Sequence, residues 1–144
     1  MARTKRPRSI RWFEGLFYFG LVVAWLNASA VGASWNAHPD PTGWGFGAFV
    51  AYVVAATALN LLLLWLIAYR GNNVARWVFV VLVLLGLNSM AEGIRRPHIY
   101  GDLSFMLTVF QNLLCVAEIL LLLVRKDSID WFAGRRAVDP DIFS

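Results

Sequence analysis

The stretch GWGFGAFVAYVVAATALNLLLLWLIAY, Gly43 to Tyr69, runs for twenty-seven residues without an Asp, Glu, Lys, Arg or His. An α-helix rises about 1.5 Å per residue, so roughly 20 apolar residues cross a hydrocarbon core about 30 Å thick. The segment is long enough to do so. Lipid offers nothing to hydrogen-bond to an exposed backbone, so a helix, which satisfies its own N–H and C=O groups, is the expected form.

Three more blocks of this kind flank it. Gly15 to Ser34 carries no ionisable charge over twenty residues, and Leu103 to Val124 is interrupted only by Glu118 over twenty-two. Trp77 to Ala91 gives fifteen uncharged residues and extends to Val74 if Arg76 snorkels its guanidinium to the headgroups. Spans are therefore expected at about 15–34, 44–69, 74–91 and 103–124, the third being the shortest. The 144 residues are 59% hydrophobic and 15% charged, more apolar than a soluble domain of this size, where about half is usual. The expected fold class is an all-α membrane protein, an antiparallel four-helix transmembrane bundle. Residues 1–11 form a basic arm, 12–126 the transmembrane domain and 127–144 a juxtamembrane tail.

Charge orients these spans. Five of the first eleven residues are Lys or Arg, the turn after span two adds Arg70 and Arg76, and the tail adds Arg125, Lys126, Arg135 and Arg136. The opposite loops hold only Arg95 and Arg96. Lys and Arg near span ends stay cytoplasmic during insertion, so both termini are expected in the cytoplasm of a bacterium, with the spans in its inner membrane. The pI near 9.7 then describes a face suited to anionic lipid, in preference to nucleic acid. A basic start, an apolar stretch and ASA at Ala28 to Ala30 also match a secretory signal peptide, which would leave three spans. The apolar run continues through Val31 and Gly32 and is rich in aromatic residues (Trp12, Phe13, Phe17, Tyr18, Phe19, Trp25), which favours a retained helix.

The connections carry their own instructions. Pro39 and Pro41 break the first outer loop, between Trp35 and Trp44 as interfacial anchors. In the short turn RGNN, Gly71 can end one helix with positive φ, and Asn72 or Asn73 can cap the next. Asp102 is placed to cap span four. Beyond Val124, residues 127–133 predict a short surface helix laying Ile129, Trp131 and Phe132 into the headgroup boundary, ended by Gly134.

In lipid the hydrophobic effect gives helices little reason to associate, so small residues and polar contacts must hold them. Gly20, Ala24, Ala28 and Gly32 line one stripe, and Ala48, Ala51, Ala55 and Ala58 another. Each span also carries one asparagine, Asn27, Asn60, Asn88 and Asn112, expected to face inward and bond between helices. Their depths differ, which suits polar adhesion spread through a bundle and does not make a ring around a pore.

Glu118 is the exception to this apolar pattern. Steps of three and four back from it reach Cys115, Gln111, Thr108 and Ser104, so the five share one helix face and the carboxyl is the deep end of a polar stripe. It lies about 9 Å inside the cytoplasmic end of its helix, where burying a charge is costly. Tyr18, Asn60 and Trp65 are the expected partners, with Arg125 one heptad below. An intramembrane acid is a functional-site hypothesis by default, although no second deep acid completes a proton relay.

Catalytic constellations are absent: there is no P-loop, Rossmann glycine pattern or paired carboxylate motif. The single cysteine, Cys115, excludes an intrachain disulfide and a Cys-based metal site. His38, Asp40, Glu92, His98 and Asp102 share the outer side in spacings that match no metal motif, so neither metal nor cofactor is expected. Arg95 and Arg96 form an outer basic patch suited to an anionic ligand, a partner or lipid headgroups.

Two patches, YRGNNVARWVFVVL at 69–82 and LLLLVRKDSIDWF at 120–132, give the chain its family look. It resembles uncharacterised small bacterial inner-membrane proteins with four spans, over roughly the C-terminal two-thirds. That resemblance implies a location and an architecture but no activity. Small multidrug transporters are similar in size and span number, but they keep their key glutamate in the first helix, where this chain has none deep in the membrane. The expected function is non-enzymatic: helix–helix association, as a homo-oligomer or an accessory subunit of a membrane complex. The alternative is a small proton-coupled transporter or channel using Glu118, Gln111 and Asn112. A lipid-active enzyme ranks last, having no nucleophile and base to act.

Overall fold

The computed structural model describes residues 6–34, 45–95 and 101–133, with side-chain surroundings for 6–33, 45–87 and 102–133. They form five α-helices and, among the described residues, no strand: α1 (Arg8–Ser34), α2 (Gly45–Ala68), α3 (Asn73–Arg95), α4 (Gly101–Leu123) and α5 (Lys126–Phe132). Three are long and apolar enough to cross a membrane, over Arg8–Ala33, Gly45–Ala68 and Asp102–Leu123. The third helix has 23 residues, of which Asn73–Leu87 is an apolar stretch among the described residues.

Local chemistry sets the boundaries. The α2–α3 turn pivots on Gly71, whose φ of +58° is open to glycine and strained for other residues. The Asn72 side chain accepts from the backbone N–H of Val74 at 2.9 Å and of Ala75 at 3.1 Å, capping α3. With so short a turn α2 and α3 are neighbours. Asp102 does not stand before α4 as a cap: it lies inside the first turn, where its charge still faces the positive end of the helix dipole.

The most extensive packing joins α1 to α4, and α3 also lies on α4. Opposed contacts fix the directions. Glu14 near the start of α1 meets Tyr69 just past the end of α2, while Gly32 near the end of α1 meets Phe46 near the start of α2. Likewise Asn27 bonds to Ser104, and Ser9 to Asp127, so α1 runs against both α2 and α4.

The buried core gathers at the end of the molecule where α5 lies. Ile10, Phe13, Phe17, Leu63, Leu64, Ile67, Phe79 and Leu122 form one cluster there. Phe13 and Phe79 meet edge to face with ring centroids 5.7 Å apart, and Phe17 closes the triad at 5.7 Å from Phe13 and 5.8 Å from Phe79.

The tail helix corrects the sequence expectation. It is helical, but Trp131 and Phe132 are not spread into a headgroup layer. Trp131 packs on Gly71, and its indole N–H donates to the Ile67 carbonyl at 3.4 Å. Phe132 sits beneath the Arg76 guanidinium at 4.7 Å, and only Ile129 remains well exposed. The reason is a polar need: the last carbonyls of α2 lack partners within their own helix, and an indole supplies one. Residue 134, expected to end this helix, lies outside the described residues.

Candidate functional site

The polar stripe of α4 is buried against α1. Ser104 is 4% exposed and Glu118 only 2%, although the helix is surrounded by apolar side chains. Asn27 of α1 reaches into the stripe and bonds twice across the interface. It accepts from the Ser104 hydroxyl at 2.6 Å through Oδ1 and donates to Thr108 Oγ1 at 3.0 Å through Nδ2. The Thr108 hydroxyl in turn donates to the Ser104 carbonyl at 2.8 Å, so each group has a partner.

Two turns further along, the interface is made by an absence. Gly20 of α1 faces α4, and a Cβ there would stand 3.2 Å from Gln111 Nε2, 3.4 Å from Glu118 Oε1 and 4.0 Å from Leu114. Gln111 and Glu118 are seven residues apart, about 10 Å along the axis, yet their ends converge on this one point. The Gln111 amide also donates weakly to Cys115 Sγ at 3.9 Å. Its Oε1 is buried with no hydrogen-bond partner. Among the described residues no donor reaches the Glu118 carboxyl, and no charged side chain lies close enough to act on it.

The partners expected for Glu118 are elsewhere. Tyr18 and Trp65 are each nearly half exposed, and Arg125 pairs with Asp127 at 3.5 Å. Asn60 donates to the Ala56 carbonyl of its own helix at 2.8 Å. Asn112 does the same with Thr108 at 2.7 Å, so neither amide makes the interhelical bond expected of it. An amide four residues beyond a carbonyl bonds locally without recruiting a second helix. Asn27 therefore carries the interhelical role alone among the three span asparagines whose side chains are described. The side chains of Asn88, Glu92 and Arg95, and residues 38, 40, 96 and 98, lie outside the described residues, and with them most of the outer basic and metal candidates.

A second polar cluster sits at the α5 end, and most of it was not foreseen. The Asp127 carboxylate accepts from the backbone N–H of Ser9 at 3.1 Å, capping the first turn of α1 from the far end of the chain. Burial alone opposes its ionisation, but the Ser9 N–H and the Arg125 charge overcome this and hold the carboxyl below its ordinary range. Glu14 accepts from Arg6 at 2.8 Å and from the Tyr69 hydroxyl at 2.7 Å, with Arg6 lying 4.4 Å over the tyrosine ring. The bond to Glu14 pushes the Tyr69 phenol above its ordinary value, while Arg6 opposes that. One hint was available: Glu14 is the only acid in the basic first segment, and Tyr69 ends the adjacent span, so both belong to the same level.

Among the described residues no three of His, Cys, Asp and Glu come together as metal ligands would. Comparison of the chain with protein-family models, with curated proteins and with solved structures finds no match.

Proposed function

We propose that the chain is a four-span, non-enzymatic protein of the bacterial inner membrane, with both termini cytoplasmic, that acts by associating with other helices. Its partner is a second copy or a larger membrane complex to which it is an accessory subunit. One observation carries this reading. Ala51, Ala55 and Ala58, which share a face of α2, are exposed, so the surface best shaped for close helix approach is not used within the chain. The stripe on α1 differs, since Gly20 is consumed by α4 and Gly32 lies against Phe46 and Phe49. Eleven Lys and Arg on one side of the expected spans against two on the other support the orientation, with anionic lipid facing the basic side and no nucleic acid involved.

The test places a cysteine at Ala55 in a Cys115→Ala background and oxidises native membranes. A disulfide-linked dimer identifies a homo-oligomer, and a heavier adduct identifies a complex. A chain that stays monomeric by crosslinking and by native mass spectrometry rules the association out.

The Glu118 site supports a second reading, a small proton-coupled transporter or channel, because a carboxyl buried without a donor has no adhesive bond to explain it. It expects Glu118→Gln to abolish a flux in liposomes while expression is retained. Flux unchanged by the substitution removes this reading.

A further inference from the structure

We propose that Gln111 and Glu118 form a membrane-embedded proton-binding pair at the gap left by Gly20, in which the Gln111 amide turns over to match the protonation state of the acid. This deepens the second reading above and does not depend on the first.

The pair is built from two incomplete groups. Glu118 is a buried residue whose carboxyl meets no donor, and Gln111 Oε1 is buried without a partner. Each lacks what the other has. In the orientation seen, the Gln111 Nε2 end is turned to the space at Gly20 that Glu118 Oε1 also borders. A donor and an acceptor thus border the same space, with no hydrogen bond closed between them. Rotation of the amide by half a turn about its last bond puts Oε1 in the same place. The oxygen can then accept from the O–H of a neutral acid, while the amide nitrogen takes the buried place that Oε1 held, so what favours the turn is the bond to the acid. The Nε2 contact given up is the long one to Cys115 at 3.9 Å, a weak bond to lose.

Loading is a single proton transfer. A hydronium ion gives up one O–H bond, a carboxyl oxygen of Glu118 gains one, and a water molecule is left. The ionised form is the costly one here, since a buried carboxylate without a counterion is disfavoured.

No charged group of a packed element acts on Glu118, and several are engaged elsewhere. Glu14 of α1 is held by Arg6 and Tyr69, and Arg76 of α3 lies over the rings of Trp77 and Phe132. Asp127 of α5 is held by Ser9 and Arg125. On α4 itself, Cys115 is the one titratable neighbour. Gly20 is the permissive element, because any side chain there would fill the space in which the amide turns.

Isotope-edited infrared spectroscopy of the full chain in bilayers, with glutamate labelled at the carboxyl carbon, tests the pair. At pH 7 the spectrum should contain the band of a neutral carboxyl, and Glu118→Gln should abolish it while leaving the other glutamate bands unchanged. Gln111→Leu should move that band to higher frequency, since the acid loses its acceptor. Gly20→Ala gives a second route if Gln111→Leu fails to fold: displacing both ends should also move the band. Wild-type protein showing only carboxylate bands at pH 7 overturns the proposal, as does a neutral band that neither substitution at position 111 nor at position 20 moves. A proton flux absent from liposomes while the band behaves as expected would remove transport and leave the pair standing.

Discussion

The two ends of this helical bundle are built by different means. At the α5 end, three phenylalanines from α1 and α3 interlock, Ile67 and Leu122 are fully buried, and a fifth helix closes over them. At the opposite end α1 and α2 are parted by a groove of about 260 Å³, lined by Trp25, Ala28, Gly32, Phe46, Phe49 and Val53 among others. There α1 and α4 are joined by the Asn27 bonds to Ser104 and Thr108. The difference lies in the side chains each end offers: rings and aliphatic groups from four helices interlock at the α5 end, whereas at the other end small residues leave a groove and adhesion rests on van der Waals contact and a few polar bonds.

The largest expected contrast comes from the rings. Phe13→Ala should lower stability by roughly 3–5 kcal/mol, because a fully buried ring leaves a cavity its neighbours cannot fill. Phe46→Ala, at a ring that is 51% exposed beside the groove, should cost less than about 1 kcal/mol. Unfolding of both variants in matched detergent measures the difference, and equal costs would mean that the core is not confined to the α5 end.

Next comes the joint between α5 and the α2–α3 turn. Gly71→Ala should destabilise by about 1–2 kcal/mol, since it places a Cβ at positive φ and 3.1 Å from the Trp131 ring nitrogen. Protease sensitivity of the tail should rise with it. An unchanged tail in the Gly71→Ala variant would show that α5 is held without the turn.

The polar end sharpens the comparison further. Asn27→Ala should cost about 1 kcal/mol, within the range of interhelical bonds in bilayers. Asn60→Ala and Asn112→Ala should cost only a few tenths of this, because those amides bond within their own helices. Three equal costs, measured by unfolding in the same detergent, would contradict the distinction.

The smallest effect is electrostatic and tied to pH. The folded Asp127 carboxyl lies below its ordinary value, so the stabilisation it provides is fully present above about pH 4, the ordinary value for an aspartate. It is lost as pH falls through the lower folded value. Asp127→Asn should therefore melt slightly below wild type at neutral pH and level with it in strong acid. The gap is small because the side chain is 36% exposed and screened by solvent. A gap that widens on acidification would mean that the acid does not cap α1.

How far the sequence reached can be seen residue by residue. The twenty-seven uncharged residues around α2 could be nothing but a buried or lipid-facing helix, and Gly71 with Asn72 announced the turn after it, because those signals are local. The stripe from Ser104 to Glu118 was equally legible, since helical periodicity alone puts it on one face. Which residues it would meet was not. Four asparagines look alike in sequence, yet only a neighbour at the right height separates Asn27, bonded across to α4, from Asn60 and Asn112, bonded to themselves.

Composition and periodicity by themselves determined that this chain is a set of apolar helices with one polar seam and an acid at the deep end of that seam. Those properties depend on which side chains stand next to one another along a helix. Only the tertiary structure decided that Gly20 opens a space shared by Gln111 and Glu118, that Asp127 caps a helix 118 residues away and that Trp131 seals the α2–α3 turn. Such pairings depend on how distant helices slide and rotate against each other until buried polar groups are satisfied, and no local pattern records that outcome.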